Sequence, residues 1–177
     1  MLENPATLIS TGRAWGAAPE EPTMTTTTTD KIEKEVLLRA PRARVWRALT
    51  DSKEFGAWFQ IRFTEPFRPG ATVRGQITYP GKEYLTGDFV IETMEPESHF
   101  VYRWHPFAVD PNHDYSGEPM TRVEFRLDDA EGGTRLRLTE SGFDALPIAR
   151  RAEALKKNDG GWTAQMTAIE HYLDQNQ

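Results

Sequence analysis

The sequence predicts an α+β domain in which a curved antiparallel sheet wraps around one long C-terminal helix. Three observations carry this. Short apolar/polar alternating runs fill the middle of the chain and are separated by Gly- and Pro-rich turns. Two short helical patterns follow the first of these runs. The last 28 residues or so carry an apolar stripe at helical spacing, Leu155, Trp162, Met166, Ile169 and Leu173.

Residues 1–30 stand apart from this pattern. They carry Pro5, Pro19, Pro22, Gly12, Gly16 and the run Thr25 to Thr29, with no hydrophobic period. Such a segment reads as a disordered or loosely docked tail, with the domain itself at 31–177. Met24 is a second candidate start of translation.

Lys31 to Arg39 reads as a strand with Ile32, Val36 and Leu38 toward the core. Pro41 suits a first helical turn, where its missing N–H would be unpaired anyway. Val45, Trp46 and Leu49 give that helix an apolar face. Asp51 or Ser52 can cap a second helix, whose Phe55, Trp58 and Phe59 share one face. Strands are expected at Thr72–Tyr79, Tyr84–Met94 and His99–His105, with turns at Pro80-Gly81 and Glu95–Ser98. Arg122–Leu127 and Thr134–Thr139 alternate cleanly, and Gly132-Gly133 closes them into a hairpin. One wet and one dry face is the signature of an antiparallel sheet.

Pro106–Pro119 is a long loop with Phe107, Val109 and Tyr115 to pack on something. The final helix, Ile148–Gln175, contains Asn158-Asp159-Gly160-Gly161. Two glycines cost about 1 kcal/mol each against Ala in a helix interior. They predict either a break near Asn158 or close backbone approach to the sheet.

The stretches APRARVWRALTD, GDFVIETMEPESHFVYRW, TRVEFRLDDAEGGTRLRLTESGF and NDGGWTAQMTAIEHYL resemble, in order and spacing, the START-related SRPBCC superfamily. More narrowly, they are similar to homologues of the activator of the heat-shock protein 90 ATPase, over about residues 31–175. The resemblance implies the helix-grip fold and a cavity between sheet and C-terminal helix. In that family the eukaryotic activator engages its chaperone through an additional N-terminal domain. Residues 1–30 are too short to supply one. A chaperone partner is therefore not the first expectation.

Composition narrows the function classes. The formal net charge is −6 and no basic block occurs, so nucleic acid is not an expected partner. Without cysteine there is neither a disulfide nor a thiolate site. That fits a cytoplasmic protein, and no secretory signal or membrane span is visible. His105 and His113 lie near Asp110 and Asp114, but this loop spacing does not define a metal site. Ser141 lacks the elbow of a hydrolase nucleophile. No cofactor is expected.

The candidate site is a cavity lined by Trp58, Phe59, Phe89, Tyr102, Trp104, His105, Phe107, Glu140, Phe143, Trp162 and Met166. Glu140 follows Leu136 and Leu138 in parity, so a regular strand points it inward. There it would anchor a ligand or act as general acid/base, its acid form favoured by desolvation. A bulge at Glu140–Gly142 would instead turn it to solvent. Either Tyr102 and Trp104 or Arg103 and His105 face the cavity, and periodicity alone does not choose. Three functions follow. The first is binding of an apolar small molecule such as a lipid, aromatic metabolite or polyketide. The second is a cyclase- or hydrolase-type enzyme using Glu140 with His105 or Tyr102. The third is a co-chaperone or regulatory module, with homodimerisation possible.

Overall fold

The computed structural model describes residues 30–177. The expected tail and the alternative start at Met24 lie outside the described residues. Asp30 is already tied down: its carbonyl accepts from the Gly142 and Phe143 amides, and its carboxylate from Asp144 N at 3.1 Å.

The elements are β1 (Lys31–Leu38), α1 (Arg42–Thr50), α2 (Ser52–Phe59), β2 (Ile61–Phe63), β3 (Thr72–Ile77) and β4 (Thr86–Glu95). There follow β5 (His99–Trp104), β6 (Thr121–Ala130), β7 (Gly133–Ser141), a 3-10 turn (Phe143–Ala145) and α3 (Ile148–Gln175). The seven strands form one antiparallel sheet in the order β1-β7-β6-β5-β4-β3-β2. A register shift between Ile91 and Thr93 bulges β4, and such a bulge bends a strand. The sheet curves around α3, which buries Ala154, Trp162, Met166, Ile169 and Leu173. This is the helix-grip arrangement.

Register follows from the β6–β7 hairpin. Gly132 and Gly133 both take positive φ, and a Cβ on Gly133 would lie 1.9 Å from the Leu38 carbonyl oxygen. Glycine is therefore obligatory at the turn. From this turn Leu136 pairs with Leu127, Leu138 with Phe125 and Glu140 with Val123. Directly paired residues share a face. A single row across the concave side thus runs Ile32, Glu140, Val123, Tyr102, Ile91.

Pro41 sits one place before α1, as its N-cap, where its carbonyl accepts from Arg44 N and Val45 N. Ala48, with Val45 and Leu49, completes the buried face of α1, and Trp46 is only half-buried. Asp51 caps α2: its carboxylate accepts from Lys53 N at 2.9 Å and Glu54 N at 3.0 Å. Asp51→Ala should therefore lower stability by about 1 kcal/mol in urea denaturation. An unchanged midpoint would show the cap to be idle.

Neither expected effect of the α3 glycines is observed. The helix runs unbroken through Asn158–Gly161, and a Cβ at Gly160 or Gly161 would meet no atom within 4 Å. Packing of the buried stripe on both sides holds the helix across its weakest point. Gly160→Ala should raise stability by about 1 kcal/mol, read as a higher thermal midpoint. A lowered midpoint would reveal a packing role that the open space denies.

Candidate functional site

The concave side of the sheet is filled by aromatic rings. The ring centroids of Trp58, Phe59, Phe63, Phe67, Phe89 and Tyr102 lie 4.7 to 6.2 Å from that of Phe55. Phe89 stacks on Tyr102 at 4.4 Å, and Phe125 meets Trp162 edge-on at 5.9 Å. These rings pack against one another at the centre of the concave side. A recess of about 150 Å³ lies at one end of the concave side, bordered by Phe59, Trp104, Asn158, Gly161, Trp162 and Gln165.

Beneath the recess lies Glu140. It is fully buried, and β7 stays regular through Ser141, so parity does place it inward. Four neutral side chains converge on its carboxylate. Trp104 Nε1 donates to Oε1 at 2.7 Å and Thr121 Oγ1 donates to the same oxygen at 2.6 Å. Trp162 Nε1 donates to Oε2 at 2.6 Å, and Asn158 Nδ2 lies 3.1 Å from both oxygens. Each donor comes from a predictable place. Trp104 and Thr121 are paired across β5 and β6, and Thr121 stands two residues from Val123, the partner of Glu140. Asn158 and Trp162 lie one turn apart on α3, on the face toward the sheet.

Two further features frame this carboxylate. The Tyr102 hydroxyl is buried without a partner among the described residues. Burial, reinforced by the negative charge of Glu140, pushes it well above its ordinary pKa, so it stays neutral. The β5–β6 loop is latched to the start of α3. Arg150 donates to the Pro106 and Phe107 carbonyls at 3.1 Å each and to Glu118 Oε2 at 2.9 Å, with Tyr115 beneath its guanidinium. Burial tends to raise the Glu118 carboxyl, but hydrogen bonds from His113 and Arg150 outweigh it and hold the group below the usual range. This latch closes the loop whose two ends are Trp104 and Thr121.

Only part of the expected lining meets at the recess. Phe59, Trp104 and Trp162 border it, and Glu140 lies behind them as the acceptor of both indole N–H groups. Phe89, Phe143 and Met166 are packed core instead. Trp58 is core as well, its indole N–H donating to the Ala48 carbonyl at 2.9 Å rather than rimming an opening. The strand-face question resolves for Tyr102 and Trp104. Arg103 points outward to Glu92, and His105 turns to the Glu118 carbonyl at 3.1 Å, so neither anchors anything inside. Phe107, at positive φ, belongs to the latched loop. His113 bonds Glu118 Oε1 at 2.7 Å, while Asp110 and Asp114 hold the backbone amides of Asn112 and Ser116. Sequence reading missed Thr121, Asn158, Gly161 and Gln165. The spacing of Asn158 to Trp162 was the available signal, hidden by reading Asn158 as a helix break.

A larger cleft of about 420 Å³ lies on the convex face, among Glu33, Glu35, Glu124, Arg126 and Arg137. Its walls are charged, and the charges answer one another: Arg126 pairs with Glu124 at 2.6 Å, and Arg137 with Asp128. It lacks the apolar walls and convergent buried groups that a ligand pocket uses. Among the described residues no helix is long and apolar enough to cross a membrane.

Known structures repeat the architecture. A protein from Mesorhizobium loti, MLL2253, is 22% identical, with a TM-score of 0.66 over 83% of this chain and 98% of its own. A protein from Arthrobacter aurescens is 17% identical, with a TM-score of 0.68 over 83% of this chain and 87% of its own. The Aha1 dimer from Colwellia psychrerythraea is 17% identical, with a TM-score of 0.62 over 81% of this chain and 95% of its own. The chain spans only 47% of DynU16, a putative protein in the dynemicin biosynthetic locus that it matches with a TM-score of 0.64 at 21% identity. No curated protein matches. The model of one family matches residues 39–174, from the end of β1 to the end of α3, and the chain therefore belongs to the family of Activator of Hsp90 ATPase homolog 1-like proteins.

Proposed function

We infer that the protein is a non-catalytic regulatory module that holds a small molecule in the recess between β5 and α3. The observation that carries this is the floor of the recess. Trp104, Asn158 and Trp162 both border the opening and donate to the one buried carboxylate, Glu140. Binding there would join α3 to the sheet through groups already fixed in place, which is how preorganised sites limit the entropy lost on binding.

The size of the recess narrows the ligand. A single ring or short head group fits about 150 Å³, whereas an acyl chain or a fused polyketide requires Phe59 and Trp104 to move. The catalytic alternative is weaker. Acid–base chemistry calls for a second titratable group within reach of the first. His105 is directed to the Glu118 carbonyl, and Tyr102, held neutral, is not available as a base.

The test is nitrogen–proton NMR of the full chain titrated with small aromatic ligands such as phenol and indole. The indole N–H signals of Trp104 and Trp162 should move together and saturate, while that of Trp46 stays still. No movement with any compound of recess size would end the reading.

A second reading is regulation of a partner protein. The family is described by an activator of an ATPase, and one structural relative is an Aha1 dimer. Stimulation of a bacterial Hsp90 ATPase by stoichiometric protein supports this reading, and an unchanged rate removes it. Sedimentation of the full chain decides whether it too is a dimer.

A further inference from the structure

We propose that the recess takes a small organic cation, an alkylammonium or quaternary ammonium head group, rather than a neutral molecule. This rests on the recess being the ligand site and adds the charge of what fills it.

The argument begins with a charge that lacks a counter-charge. All four donors to Glu140 are neutral: two indoles, an amide and a hydroxyl. They satisfy its lone pairs and leave its negative charge standing. Among the described residues no Lys, Arg or His pairs with it. Lys34, the cation on the same face of β1 as Ile32, is engaged by Asp159 on α3 at 2.8 Å. A buried charge is costly unless paired. The vicinity of Glu140 therefore carries a negative potential in a poorly solvated place, and only Trp104, Asn158 and Trp162, which border the recess and donate to the carboxylate, stand between the two.

The walls suit the same ligand. Phe59, Trp104 and Trp162 bring three rings to the opening, with centroids 5.8 to 5.9 Å apart. Aromatic faces attract cations, indole most strongly. Both indoles donate their N–H to a carboxylate, which polarises the rings and makes them more electron-rich. The side-chain oxygens of Asn158 and Gln165 add acceptors. Asn158 spends its N–H₂ group on Glu140, leaving its carbonyl oxygen for another donor. This set of rings and acceptors does not serve an anionic ligand. Gly161 keeps the rim low, since a Cβ there would enter open space.

The experiment compares choline with 3,3-dimethylbutan-1-ol, its neutral isostere, on the full chain. Binding is followed by the Trp104 and Trp162 indole N–H signals. Choline should bind at least tenfold more tightly than the neutral alcohol, and the preference should shrink to within about twofold in Glu140→Gln. If that variant does not fold, the wild-type comparison decides alone. Equal affinity for the two compounds, or tighter binding of the alcohol, overturns the cation while leaving the recess as a binding site. If neither compound binds but phenol does, the cation is again overturned and the site stands. If nothing of this size binds, both the cation and the site fall.

Discussion

Glu140→Ala is expected to lower the stability of this protein by roughly 4 kcal/mol, the scale of several buried donors losing their acceptor at once. The carboxylate receives both indole N–H groups, the Thr121 hydroxyl and the Asn158 amide, so it ties β5, β6, β7 and α3 at one point. Truncation leaves the buried Trp162 indole and Thr121 hydroxyl without their acceptor. Urea denaturation should show a lower midpoint with a similar slope. Trp162→Phe keeps most of the ring and removes a single donor, so its loss should be much smaller, about 1–2 kcal/mol. A loss below about 1 kcal/mol for Glu140→Ala would mean that the four contacts are not a stabilising hub. The role of Glu140 would then be functional alone.

Phe55→Ala should cost about 3–5 kcal/mol, the range for removing a fully buried Phe. Its ring is packed on every side by aromatic neighbours from α2, β2, the β2–β3 connection, β4 and β5. Rings locked edge-to-face collapse poorly into a void, which favours the upper part of that range. The variant should also acquire what the native protein lacks, an apolar hole in the middle of the concave side. Apolar cavities of this kind bind benzene-sized molecules. Benzene should therefore raise the thermal midpoint of Phe55→Ala by several degrees and leave that of the wild type nearly unchanged. An equal response in both proteins would show that the native interior is already open.

These results bear on the difference between a carrier and a sensor. A lipid carrier needs an interior that stays hollow when empty, at the expense of packing. This protein fills the same space with Phe55, Phe89, Phe100, Tyr102 and Phe125, all essentially inaccessible to solvent. The recess lies at the rim, where Phe59, Trp104 and Trp162 meet in front of the buried Glu140. Under the proposed binding role, a change of occupancy there would reach α3 through Asn158 and Trp162, which both donate from the helix to Glu140. The mid-helix glycines lie beside these residues, so the contact is made at the point where α3 has least intrinsic stability.

The sequence by itself determined the element order and the faces of most strands, and it left the direction of Glu140 to whether β7 stays regular through Ser141. The Gly132-Gly133 turn sets the register of β6 on β7, and side chains along a strand alternate with period two. Local pattern is enough for that. It was enough, too, for the α3 stripe and for a cap of α2 at Asp51 or Ser52, because helix period and capping depend on neighbours within one turn. Only the tertiary structure decided whether the interior was hollow. Volume is a sum over side chains from eight or more elements, and no local pattern reports how well rings from α2, β4 and β5 interlock. The same holds for the partners of Glu140. Trp104, Thr121, Asn158 and Trp162 are brought together by two strand pairings and by the rotation of α3 about its axis, so their convergence is a property of packing and not of spacing along the chain.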